Sequence, residues 1–179
     1  MKNYKKNFEI LKKNHVYSEE MEHDACGVGL IASTEGKKSR KIVEYGIEAL
    51  KAVWHRGAVD ADGKTGDGAG IHVEVPKDFF IEKVEVTGHT YDNSEICVGM
   101  IFLPRNDYTA QESCKTIVES ELTKNDFSIY GWRQVPVNPK VLGEKAFQTM
   151  PEIIQVLFKS NNPELLNKDL ERKIYETRR

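Results

Sequence analysis

Residues 22–32 read Glu-His-Asp-Ala-Cys-Gly-Val-Gly-Leu-Ile-Ala, and the character of the chain changes at Ala25-Cys26. Before that point, residues 1–25 are rich in Lys and Glu and lack the apolar core of a secretory signal. After it, Cys26 to Ala32 are small and apolar on both faces, which predicts a buried strand closed by the polar turn Ser33-Thr34-Glu35-Gly36. A helix is expected next, because Val43, Ile47, Leu50 and Trp54 recur with helical spacing, Ser39 can cap the start and Gly57 can end it. Such a helix delivers His55-Arg56-Gly57 at its C-terminal end.

Further out, Asp60 to Gly70 contains four glycines, Gly63, Gly66, Gly68 and Gly70, as tight turns beside a ligand require. Alternation of Ile71, Val73 and Val75 with His72 and Glu74 predicts a strand ended by Pro76, and Ile96 to Leu103 predicts a more buried one ended by Pro104. Thr109 with Glu112 reads as a capping box that opens a helix with the apolar stripe Cys114, Ile117, Val118 and Leu122. Phe127 to Val135 and Ile153 to Phe158 read as strands, and Leu166, Leu170 and Ile174 mark a helix that runs to Arg179 without a stop signal. The chain therefore reads as ending inside an element. Mixed strands and helices without repeats give an α+β or α/β class, between which the pattern does not choose.

Composition narrows the function. The 179 residues carry 26 Lys and Arg against 28 Asp and Glu, a net charge of -2, so no basic field attracts nucleic acid or an anionic membrane. Apolar runs are too short to span a bilayer, and a cytoplasmic location is expected. Cys26, Cys97 and Cys114 are odd in number and widely spaced, unlike a disulfide framework or a zinc site, and His15, His23, His55, His72 and His89 form no metal pair on one element. Three short patterns fail on context. Asp60-x-Asp62-Gly63 lacks the later oxygen ligands of a calcium loop, Gly63-Lys64-Thr65 has Ala58 where a phosphate loop needs its first glycine, and Gly27-Val28-Gly29 does not follow a strand.

Several blocks in one order carry a resemblance that spans the whole chain: Glu22 to Gly29; His55-Arg56-Gly57-Ala58 with Ala61-Asp62 and Thr65 to Ile71; Gly99 to Pro104; Gly131 to Pro136; and Leu170 to Arg179. Together they resemble the start of the glutaminase domain of the glutamate synthase large subunit, a class II glutamine amidotransferase. The resemblance implies an N-terminal-nucleophile hydrolase fold with four α/β/β/α layers, incomplete in this chain. It also implies that residues 1–25 are a propeptide, that residues 26–179 begin the amidotransferase domain, and that Cys26 is the nucleophile. A freed α-amino group, with a reference pKa of about 7.7 to 8.0, can take up a proton near neutrality, so one residue can supply both thiol and base.

On surroundings alone, Cys26 reads as a small buried residue at the head of a strand, and only the resemblance reverses that. Arg56 is a candidate substrate-binding residue beside the nucleophile, or equally a cation at a helix C-terminus favoured by the dipole. Asp67 is a second substrate-binding candidate and also suits the turn itself. His55 reads as structural. Residues 1–179 hold neither the Arg-Tyr-Ser-Thr block that binds glutamine in the family nor the His-Asn-Gly-Glu block of its oxyanion hole, and no Asn-Gly pair occurs. The isolated chain is therefore expected to be inactive, since losing one oxyanion donor already costs about two to three orders of magnitude.

The wider protein is implied to pass ammonia to 2-oxoglutarate using FMN and an iron–sulfur cluster held outside this chain. Its implied partners are glutamine, the rest of the large subunit and a small electron-donating subunit. Two other readings stand beside this one: a non-catalytic scaffold or interaction protein that keeps an uncleaved leader, and an amidotransferase subunit completed by a second polypeptide.

Overall fold

The computed structural model describes residues 27–54 and 57–179, with residues 6, 7, 9, 10, 13 and 14 of the N-terminal segment. The chain divides into two units, Met1–Ala58 with Asp67–Ile71, and Val59–Gly66 with His72–Arg179.

In the first unit, α1 spans Arg40–Ala52. Ser39 holds an extended backbone and its Oγ accepts from the Lys41 N–H at 3.2 Å, satisfying one of the free donors of the first turn. Val53 caps the other end, where its N–H reaches Ala49 O at 3.3 Å, four residues before the glycine expected to end the helix. Val43, Ile47 and Leu50 share a half-buried face, while Trp54 is 74% exposed and does not extend it. The strand expected from Cys26 to Ala32 is absent over its described residues. Residues 27–32 are irregular, and Val28 and Leu30 are 92% and 89% exposed. An apolar run states what a strand would bury, but a ladder needs a partner that the run does not encode.

The second unit is built on β1 (Cys97–Leu103), β2 (Phe127–Gln134) and β3 (Glu152–Ser160), in the order β1-β3-β2 with both pairs antiparallel. Its other elements are α2 (Lys77–Val86), α3 (Tyr108–Lys124), α4 (Glu144–Thr149) and α5 (Asn167–Arg178). This is a mixed α+β arrangement around a small antiparallel sheet. One sheet face packs Cys97, Val156, Phe158 and Phe127 against Leu122 of α3 and Leu170 of α5. The opposite face packs Leu157 and Tyr130 against Phe80 and Val84 of α2. Burial of such side chains, about 1.5 to 3 kcal/mol each, is the main force holding the unit together.

Strand β2 serves both faces through a bulge. Ile129 pairs with Phe158 and Gly131 with Leu157, leaving Tyr130 as the extra residue. Gly131 has φ +148°, and a Cβ there would lie 2.9 Å from Thr87 Cγ2, so both backbone and space require glycine. Asp92 fastens the bulge: it accepts from the Tyr130 hydroxyl at 2.9 Å and pairs with the Lys159 ammonium.

Three expectations change. Residues 71–76 form no strand, and Ile71, Val73 and Val75 are exposed, because alternation marks a face without supplying a ladder partner. The N-cap of α3 is Asp107, whose carboxylate accepts from Ala110 N–H at 2.9 Å, so Thr109 lies inside the helix and Ile117 is 62% exposed. Helix α2 was not announced by periodicity because its apolar stripe is only about a turn long, Phe80, Ile81 and Val84. Among the described residues, no helix is long and apolar enough to cross a membrane.

Candidate functional site

The chain after α1 carries the candidate residues. Cys26, His55 and Arg56 lie outside the described residues, so the geometry begins at Gly57, whose N–H donates to Trp54 O at 3.0 Å. Asp67 is described, in an exposed position. Its Oδ2 accepts from the Ala58 N–H at 2.9 Å, and its own N–H donates to Ala58 O at 3.3 Å. The structure thus holds Asp67 to the residue two places after Arg56, and one of its carboxylate oxygens is engaged in the turn.

The glycine-rich segment between these positions is a hairpin turn. Val59 bridges Gly66, Asp60 N–H donates to Thr65 O at 2.7 Å, and Gly63 N–H donates to Asp60 O at 2.9 Å with φ +68° at Gly63. Asp62 organises the tip. Its Oδ1 accepts from Thr65 N–H at 2.7 Å and Lys64 N–H at 2.9 Å, and its Oδ2 from Thr65 Oγ1 at 2.5 Å. The Thr65 hydroxyl and these backbone donors hold the Asp62 carboxyl well below the usual carboxylate range. The N-cap of α4 is Gly143, which has no side chain to offer, and the Ala146 N–H of the first turn donates instead to Thr65 Oγ1 of the loop at 3.5 Å. Asp60 reinforces the seat with a 2.6 Å ion pair to Lys145, which lowers the Asp60 pKa and raises that of Lys145.

The seating of Asp62 against Gly143 is not legible in the sequence. The local signal is Asp62-Gly63-Lys64-Thr65, which reads as a side-chain-capped turn as well as a fragment of a cation loop, a phosphate loop or the family block. Its contact with Gly143 joins positions far apart in the chain and has no local signature.

Two thiols can be assigned. Cys97 is buried in β1, and burial pushes its pKa up to about 12, so it holds negligible thiolate near neutrality. Cys114 is half-buried on α3. An iron–sulfur cluster needs several thiolates converging on one point, whereas Cys97 is enclosed in the sheet core. No group of three or more His, Cys, Asp or Glu that could hold a metal occurs among the described residues, and these residues do not fit such a cluster.

Comparison with known proteins gives this geometry a family. Residues 26–179 match the pattern of the class-II glutamine amidotransferases. The chain is 53% identical over 176 residues to the glutamate synthase [NADPH] large chain of Azospirillum brasilense, which covers 98% of this chain and 12% of that protein. It is 38% identical over 175 residues to ferredoxin-dependent glutamate synthase 2, chloroplastic, of Arabidopsis thaliana, with 96% and 11% covered. A ferredoxin-dependent glutamate synthase of Pyropia yezoensis is likewise 38% identical, over 172 residues, with 95% and 11% covered. The chain thus spans about an eighth or a ninth of the length of these relatives and corresponds to their N-terminal part. It belongs to the class-II glutamine amidotransferases, as part of the glutaminase region of glutamate synthase large chains.

Proposed function

We propose that this chain is the first part of a glutaminase domain in which Cys26, freed by removal of residues 1–25, attacks glutamine. One observation carries the reading: the family match begins at Cys26, the residue where the sequence changes character. The N-terminal amine takes the thiol proton, and the sulfur adds to the carboxamide carbon. Collapse of the tetrahedral species breaks the C–N bond, and the amine returns its proton to the departing ammonia. A γ-glutamyl thioester remains, which water hydrolyses to glutamate. An uncleaved Cys26 carries an amide nitrogen and has no such base.

Arg56 is the candidate side chain for the substrate, and Asp67 braces the chain beside it through Ala58. The oxyanion hole and the rest of an α/β/β/α N-terminal-nucleophile fold belong to polypeptide beyond residues 1–179, as do FMN, the iron–sulfur cluster and the 2-oxoglutarate site that consumes the ammonia. A small electron-donating subunit completes that assembly, and its setting is cytoplasmic. This chain alone hydrolyses no glutamine.

The test is a chimera in which residues 1–179 replace the matching segment of the A. brasilense large chain. The mature product is expected to begin at Cys26 and to release glutamate and ammonia from glutamine, and Cys26→Ser is expected to abolish that release. Retention of residues 1–25 in an active product, or activity that survives Cys26→Ser, would falsify the reading.

A further inference from the structure

The two edges of the sheet, β1 and β2, are finished differently. Strand β2 is blunted: its ladder is interrupted by the bulge between Ile129 and Gly131, and Arg133 places a charge on it. Bulges and charges are the ordinary means by which a sheet refuses a further strand. Strand β1 has neither. Its residues Cys97-Val98-Gly99-Met100-Ile101-Phe102-Leu103 contain no charge and no proline, and they pair with β3 in unbroken register from Cys97–Phe158 to Leu103–Glu152. Among the described residues, no backbone hydrogen bond from another segment reaches its outer side. Met100 and Phe102 are exposed.

This edge is complementary to itself when turned end for end. Setting Met100 opposite Met100 of an antiparallel copy brings Val98 opposite Phe102, Gly99 opposite Ile101 and Cys97 opposite Leu103. Every cross-strand pair is then apolar, and in two of the three a smaller side chain faces a larger one. Beyond the strand ends the same register sets Glu95 opposite Arg105, so the charges that flank the run attract. Both are held in place within their own chain, Glu95 by the Lys77 ammonium at 2.7 Å and Arg105 by the Phe147 carbonyl at 3.1 Å. No carboxylate among the described residues meets Arg105 in its own chain, which leaves its charge for a partner. We propose that β1 is an interface to a second copy of this chain, the two strands pairing antiparallel about a twofold axis at Met100 and joining two three-stranded sheets into one. The contact is isologous and closes at two chains, since the edges left over are the bulged β2 strands. One strand pair buries less than the roughly 1,200 Å² of a standard interface, so the dimer is weak and concentration-dependent.

Sedimentation velocity on the full 179-residue chain over a concentration series tests this. A monomer–dimer equilibrium that stops at two is expected. Met100→Lys sets two ammonium groups opposite each other at an exposed position, and is expected to raise the dissociation constant roughly tenfold or more with the melting curve of the monomer unchanged. Glu95→Arg and Arg105→Glu are each expected to weaken the dimer roughly fivefold, because each charge pair occurs twice, and the two changes together are expected to restore it. These two residues lie outside the strand, so they decide the matter where Met100→Lys does not fold. A chain that is monomeric throughout, or one that grows past the dimer, overturns the proposal. A dimer indifferent to Met100→Lys overturns it as well, as does a double charge reversal that fails to recover the parent affinity.

Discussion

Burial makes Cys97 and Cys114 chemically different although both are free. Cys97 has its pKa pushed up to about 12 by burial, with the carboxylates of Glu95 and Glu171 adding to the effect. At pH 8.5, a thiol reagent is expected to modify Cys114 and to spare Cys97 until the chain unfolds, as read by mass after timed quenching. Equal labelling rates in the native state would contradict the enclosed position. The same shift has a sign in stability. Because the folded pKa lies above the unfolded value of about 8.5, the contribution of the neutral thiol is complete below that pH and is lost as pH rises towards 12. Tyr130, raised by burial and by its bond to Asp92, acts in the same alkaline direction. These surroundings are invisible in the sequence around Cys97, where only the apolar run Ile96 to Leu103 hints at them. Cys26 and Arg56 rest on another kind of signal, motif order rather than physical pattern, and lie outside the described residues.

At the scale of elements, the legible ones carry their own instructions. Helix α1 has a serine cap and a repeated apolar stripe, and β1 and β3 are long apolar runs, β1 enclosed at its ends, Cys97 and Leu103, and β3 at its centre. Helix α3 was legible as a helix while its start was misplaced by two residues, because Asp107 and Thr109 are both good caps and only geometry chooses between them. Asp107→Ala is expected to lower stability by about 1 kcal/mol, and Thr109→Ala by a few tenths, in urea unfolding followed by circular dichroism. The reverse order would restore the capping box read from Thr109 and Glu112. Residues 27–32 and 71–75 were read as strands for a sound local reason and failed for a non-local one. Sheet membership is decided by the neighbour, and neither segment contains a description of its neighbour.

For the molecule as a whole, exposed apolar side chains at Val28, Leu30, Trp54, Phe102 and Ile117 predict self-association of the isolated chain. Light scattering across a concentration series is expected to show mass rising above 20.4 kDa, and a monomer at all concentrations would refute it. Acid acts on a different feature, the loop seat. The Asp62 carboxyl has a depressed pKa, so its contribution is complete above the unfolded value of about 3.9 and is lost as pH falls below that. The bulge at Tyr130 has a consequence for how the chain can change length. Side chains alternate along a strand, yet Phe127, Ile129 and Trp132 all reach the same core, which is achieved by one surplus residue between the second and third. Removing the surplus residue would leave Ile129 and Trp132 two positions apart and still on one face, with the indole meeting Glu119 as it now does at 2.6 Å, whereas removing Ser128 would turn Phe127 to the face held by α2. A single-residue deletion within this strand is therefore accommodated at the bulge and not before it, whereas the irregular stretch at 135–138 absorbs length changes singly.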